Sequence, residues 1–143
     1  MKKAGLLLFL FMISVTFVYA QQRLPMPPDP LKPGEIMLSR TDLRFKSNAE
    51  MALEKGDING AVMALNNVRL EWARHWFLSF AYEQVRDYEK ALGELDWLIR
   101  QNPRKDLLSD LKNRRAIFQN MVKKDDYWKD KPGDKTKGLY LGP

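Results

Sequence analysis

The chain has 143 residues, 24 Lys and Arg against 18 Asp and Glu, a net charge of +6, one His and no Cys. A chain this short makes one domain. Without Cys there is no disulfide framework or thiolate chemistry, and a lone His cannot build the usual zinc site. The charge is mildly basic with no long basic cluster, which argues against a protein that tracks a nucleic-acid backbone.

Lys2 and Lys3 precede an apolar or small stretch from Ala4 to Ala20 that ends in Val18-Tyr19-Ala20. A charged start, a short apolar run and a small-x-small exit make a secretory signal peptide. The run is shorter than the roughly 20 residues that span a bilayer comfortably. Cleavage near Ala20 is therefore expected, with the mature chain starting at Gln21 and located in the periplasm or secreted. The alternative is an uncleaved anchor, which would be the only membrane attachment. No Cys stands near the cut to carry a lipid. Loss of Lys2 and Lys3 lowers the net charge to +4, which allows a weak attraction to acidic envelope polymers or to an acidic partner.

Residues 21–38 form a Pro-rich linker, with Pro25, Pro27, Pro28, Pro30 and Pro33. Proline at this density favours extended, solvated chain. The predicted role is a spacer, and the alternative is a docking strand for a proline-reading groove.

The helical domain is predicted over 39–123. Ser39-x-x-Asp42 is a capping box that opens a first helix from about Arg40 to Lys55. Gly56 stops it, and Asp57 caps a second that reaches about Val68. A third covers roughly Trp72 to Val85. Asp87 caps a fourth that ends near Gln101, before the Asn102-Pro103 break. Asp106 is expected to cap a fifth that ends near Lys123. The apolar set of this helix is Leu107, Leu108, Leu111, Ala116, Ile117, Phe118, Met121 and Val122, wide enough to cover the helices before it. No stretch alternates strongly enough to argue for strands. Residues 124–143 are expected to form a flexible tail. Its Tyr127-Trp128 and Leu139-Tyr140-Leu141 could serve as a short binding motif.

One fragment occurs twice, 30 residues apart. The clearer copy is Leu78-Ser79-x-x-Tyr82, Asp87-Tyr88-x-x-Ala91-x-x-x-Leu95-x-x-Leu98 and Pro103. The fainter copy is Ala49, Ala52, Gly56-Asp57-Ile58, Ala61, Leu65 and Val68. Small residues at Ser79 and Ala91 let two helices approach closely, and Tyr82, Leu95 and Leu98 fill the space around that contact. Self-similarity at such a period marks a stacking unit of two helices.

The segment 72–103 resembles a tetratricopeptide repeat. Leu78-Ser79-x-x-Tyr82 is similar to the family's Leu-Gly-x-x-Tyr, and Ala91 and Pro103 match its Ala and closing Pro. The chain departs from the pattern where His75 stands in the usual Trp position and Ala52 in the usual Tyr position. Its spacing of 30 residues is also below the family's value of about 34. The resemblance implies an all-α fold of two antiparallel helical hairpins plus a C-terminal capping helix, a short right-handed α-solenoid. The packed part, about 85 residues, is near the lower limit for a single core. Help from a partner or a homo-oligomer is therefore expected.

In the family the first helix of each hairpin lines a concave groove. The resemblance thus places Leu43, Lys46, Glu50 and Leu53 in the groove from the first repeat, and Ala73, Trp76, Phe80, Glu83 and Gln84 from the second. Trp76 and Phe80, four apart, share a helical face and are candidate anchors; the alternative is that they are core. Trp97, one turn after Gly93, is expected against the fifth helix. Glu50 and Glu54 read as solvated surface acids. Asp125-Asp126 is too sparse for a calcium loop. No Gly-x-Ser-x-Gly turn or phosphate loop is present.

These readings converge on a non-enzymatic scaffold of the cell envelope, with no cofactor or metal and no nucleic acid, binding a partner peptide or helix. Two alternatives are a subunit of a larger assembly, and a binder of glycan or acidic polymer through Lys112, Arg114, Arg115, Lys123 and Lys124.

Overall fold

The computed structural model describes residues 23–28, 37–101 and 105–129, with side chains up to Lys124. The expected signal segment, Pro103 and the Leu139-Tyr140-Leu141 patch lie outside these residues, as do the side chains of Tyr127 and Trp128. Among the described residues the chain is all-helical, with five helices and no strand. They are α1 (Arg40–Glu54), α2 (Ile58–Asn66), α3 (Glu71–Gln84), α4 (Tyr88–Gln101) and α5 (Lys105–Lys129). None is long and apolar enough to cross a membrane.

Local chemistry sets the helix ends. The Ser39 hydroxyl accepts from Asp42 N–H at 3.1 Å, and Asp42 Oδ2 accepts from Ser39 N–H at 3.2 Å, which completes the capping box. Asp57 caps α2 by accepting from Gly60 N–H at 2.8 Å. Each such cap is worth about 1 kcal/mol. Asp106 lies in the first turn of α5.

The two turns joining α1 to α2 and α3 to α4 are built alike. Gly56 and Asp57 N–H donate to the carbonyls of Leu53 and Ala52, and Arg86 and Asp87 N–H donate to those of Glu83 and Tyr82. This is the Schellman closure, whose first residue past the cap is left-handed. Gly56 adopts it at φ 73°, and Arg86 adopts the same conformation at φ 60°. A side chain there carries a cost of roughly 1 kcal/mol that glycine avoids.

Two buried clusters form. One joins Ala49, Leu53, Ala61, Leu65, Val68, Ala73, Phe77, Leu78 and Ala81. The other joins Trp72, Ala91, Leu95, Leu98, Leu111 and Phe118. Leu70, Trp76 and Tyr82 pack against both. Ser79 and Ala91 are fully buried, as the close helix approach requires.

Asp42 does a second job. Its Oδ1 accepts from Arg69 N–H at 2.8 Å, tying the start of α1 to the chain entering α3. Burial pushes its carboxyl up. The bonds from Arg69 and Ser39 and the Arg69 charge outweigh that and hold it below its usual 3.8.

Three expectations are corrected. The helix α5 runs on to Lys129, beyond Lys123. Its packed face is narrower than the apolar set implied: Leu111 and Phe118 are buried, whereas Ile117 and Met121 are exposed. The middle of that face holds Arg114 and Arg115, each half-buried. Arg114 reaches Glu83 on α3 at 2.7 Å, and Arg115 reaches Asp96 on α4 at 2.5 Å. Two arginine clamps thus replace apolar contact. Trp97 packs against the cluster that α5 joins through Leu111 and Phe118 and also stacks on His75 of α3 at a centroid distance of 3.8 Å, but a Cβ added at Gly93 would meet nothing, so Gly93 makes no room for it.

Two predictions follow from these contacts. Arg86→Gly should stabilise the fold by roughly 0.5–1 kcal/mol, and Gly56→Ala should destabilise it by about 1 kcal/mol, both read by urea unfolding. Asp42 has a folded-state pKa below its unfolded one, so its contribution is complete above the unfolded value and is lost as pH falls through the folded one. Between about pH 5 and pH 3, the Asp42→Asn chain should therefore lose less stability than the wild type.

Candidate functional site

Of the predicted groove residues, Lys46, Glu50 and Trp76 meet on a face shared by α1 and α3, and that face is already occupied. Leu24, in the Pro-rich segment, is 2% exposed and belongs to the α1–α3 cluster. Its N–H donates to Glu50 Oε1 on α1 at 2.9 Å. One residue on, the Pro25 carbonyl accepts from the Trp76 indole N–H on α3 at 3.1 Å. The segment 23–28 therefore straddles the two helices with one backbone bond to each. This corrects the expectation of a solvated spacer, at least for these residues.

The local sequence explains the conformation. A residue before proline is pushed to extended backbone, which holds Leu24 in the form that points its side chain into the cluster. Leu24 is buried and Pro27 half-buried, while Pro25 and Met26 are exposed. Pro28 is half-buried like Pro27, so the segment rests on the helices at Leu24 and again at its end.

Glu50 is not a solvated acid. It is half-buried, and the oxygen that accepts from Leu24 also takes the Lys46 ammonium at 2.5 Å. Lys46 lies over the Phe77 ring at 5.9 Å from its centroid. Glu54 is exposed.

Trp76 and Phe80 are half-buried members of a ladder along α3. Trp72 stacks on Trp76 at 5.3 Å, and Trp76 meets Phe80 at 5.2 Å. The Arg114 guanidinium caps the ladder at 3.7 Å from the Phe80 centroid, worth about 1–2 kcal/mol in a partly desolvated site. The same guanidinium binds Glu83 and reaches the Ser79 hydroxyl at 3.4 Å.

Other groove residues fall in different places. Leu53 and Ala73 are buried in the cluster beneath Leu24 and line no open surface. Leu43 is 41% exposed. The Gln84 side-chain oxygen is sealed from solvent and meets no donor among the described residues, and the buried Trp72 indole N–H meets no acceptor there. Leu24 was the site residue hardest to anticipate. Its signal was a single Leu-Pro step in a run otherwise read as spacer.

Away from this face, His75 Nδ1 lies 2.5 Å from Glu94 Oε2. No group of three or more His, Asp or Glu side chains among the described residues could hold a metal. A cleft of about 500 Å³ between α4 and α5 is lined by Arg100, Lys112 and Arg115 together with Asp96.

No protein-family model, curated protein or solved structure matches the chain.

If Leu24 anchors the segment, Leu24→Ala should lower stability by about 2 kcal/mol, the low end for a buried leucine. Met26→Ala, at a position 53% exposed, should change it by less than about 0.5 kcal/mol. Urea unfolding of the two variants separates a docked segment from a solvated one.

Proposed function

We propose that this chain is an exported, non-enzymatic scaffold of tetratricopeptide type that binds a partner protein by holding an extended segment of it on the α1/α3 face. The observation that carries the reading is the seating of residues 23–28. A peptide in extended form finds a carboxylate for its N–H, an indole N–H for its carbonyl and an apolar socket for one side chain. Two of those three contacts involve backbone atoms, so a foreign segment can make them too. The repeated turns, built alike 30 residues apart, support the family reading. Lys46, Glu50 and the Trp76 indole are paired with one another or with backbone, in the manner of a binding surface rather than of a nucleophile beside a base.

Docking through the basic face of α5 is less favoured. Arg114 and Arg115 are engaged with Glu83 and Asp96. Arg100 and Lys112, in the α4–α5 cleft, are the cations that keep this second reading open.

The test is affinity capture from envelope extract with the purified chain as bait and Leu43→Asp as control. Leu43 is exposed on α1, so the substitution should leave the fold intact by circular dichroism. A partner held by wild type and reduced at least tenfold by Leu43→Asp is the expected result. A partner indifferent to Leu43→Asp but lost with salt and with Arg100→Glu/Lys112→Glu would move the function to the α4–α5 cleft.

A further inference from the structure

We propose that residues Arg23–Pro28 are a resident ligand of the α1/α3 face, and that the partner which displaces them presents the same chemistry: an extended, proline-containing segment with leucine immediately before proline. This deepens the functional reading above and rests on that face being a peptide-binding face.

The contacts define the specificity. Leu24 is the side chain fully buried in the cluster, and Pro27 is half-buried. Pro25 is exposed, so its contribution is conformational: it holds the preceding leucine extended and leaves its own carbonyl aimed at Trp76. A segment with leucine followed by proline reproduces the buried side chain and both backbone hydrogen bonds. One with a charged residue in place of leucine would bury that charge in a cluster of Ala49, Leu53, Ala73 and Phe77.

Covalent connection makes the resident a strong competitor. Residues 23–28 are joined to α1 by a short stretch of chain, which sets an effective concentration on the order of mM. A free peptide therefore meets a site that is vacant only for the fraction of time the resident is away, and its apparent affinity falls by that fraction. The Leu24 anchor also lies four residues past the Ala20-Gln21 step at which cleavage is expected.

The probe is a synthetic peptide of the sequence of residues 21–28, titrated into the purified full chain by calorimetry, with the intrinsic tryptophan fluorescence of the chain as a second readout. Leu24→Asp, which expels the resident, should bind the peptide at least about tenfold more tightly than wild type does. The same peptide with Asp in place of its leucine should not bind. Equal affinity for wild type and Leu24→Asp, or no binding to either, overturns the proposal. If Leu24→Asp does not fold, hydrogen exchange on the wild type decides. The Leu24 amide should exchange faster than those of Phe77 and Leu78 in α3, and equal rates would show a segment that leaves only on global unfolding. Sedimentation should give a monomer. A concentration-dependent dimer lost in Leu24→Asp would show that the segment fills the face of a second copy instead. Peptide binding to Leu24→Asp without any partner in envelope extract leaves the resident ligand standing and removes the scaffold reading. Capture of a partner without peptide binding does the reverse.

Discussion

Helix α3 has more apolar surface than two neighbouring helices can cover, and most of the structure answers to that fact. Trp72, Ala73, Phe77, Leu78, Ser79 and Ala81 are buried, and Trp76, Phe80 and Tyr82 are half-buried. These positions run almost all the way round the helix, so it must be enclosed. One side is taken by the cluster built with α1 and α2, another by the cluster built with α4 and α5. The Trp76–Phe80 strip remains. It is covered by two elements that are not apolar helix faces: the Leu24-Pro25 step over Trp76 and the Arg114 guanidinium over Phe80. Both suit a strip that is aromatic and partly wet. A proline-flanked backbone brings a carbonyl to the indole N–H, and a planar cation lies on a ring face.

The same enclosure explains why the arginines of α5 hold the helix rather than extend into solvent. Arg114 reaches α3 and Arg115 reaches α4, so adjacent residues on one helix grip both members of the preceding pair. An apolar seam would bury α5 against one groove. Two charged contacts of different direction fix its rotation as well. The acids they meet, Glu83 and Asp96, are partly exposed. Each pair is therefore worth little as an isolated ion pair, and the packing of the Arg114 plane on Phe80 carries more of the energy.

The elements legible in the sequence were those specified by local chemistry. Ser39 with Asp42, Gly56 with Asp57, and Asp87 name the helix starts and stops within a few residues, because caps and left-handed turns are short-range. The small residues at Ser79 and Ala91 named the close contact between α3 and α4. What escaped was decided by distant partners. A Pro-rich run reads as solvated because nothing in its own composition reveals an apolar socket made by Leu53, Ala73 and Phe77. Arg114 and Arg115 read as surface charge because Glu83 and Asp96 lie 31 and 19 residues away. Glu50 was misjudged for the same reason, since its backbone donor is 26 residues upstream. The docking of Leu24 and Pro25 on Glu50 and Trp76 was not legible for the same reason.

The energetics of that occupant bear on what the face is for. Burying one leucine yields about 1.5–3 kcal/mol. The bond to the Glu50 carboxylate adds roughly 1.5–3 and the neutral one from Trp76 about 1. Against this stands the ordering of the segment, at about 1–2 kcal/mol for each free residue. Three of its six positions, Pro25, Pro27 and Pro28, have φ already set by the ring and cost less. Gain and cost then come within a few kcal/mol of each other. A segment of six alanines would be hard to seat, and a second apolar anchor would make this one hard to release. Proline brings the balance to where attachment holds without being permanent. Met26, the other large apolar side chain of the segment, is 53% exposed and adds no second anchor to Leu24. A single buried anchor fits a segment that can exchange.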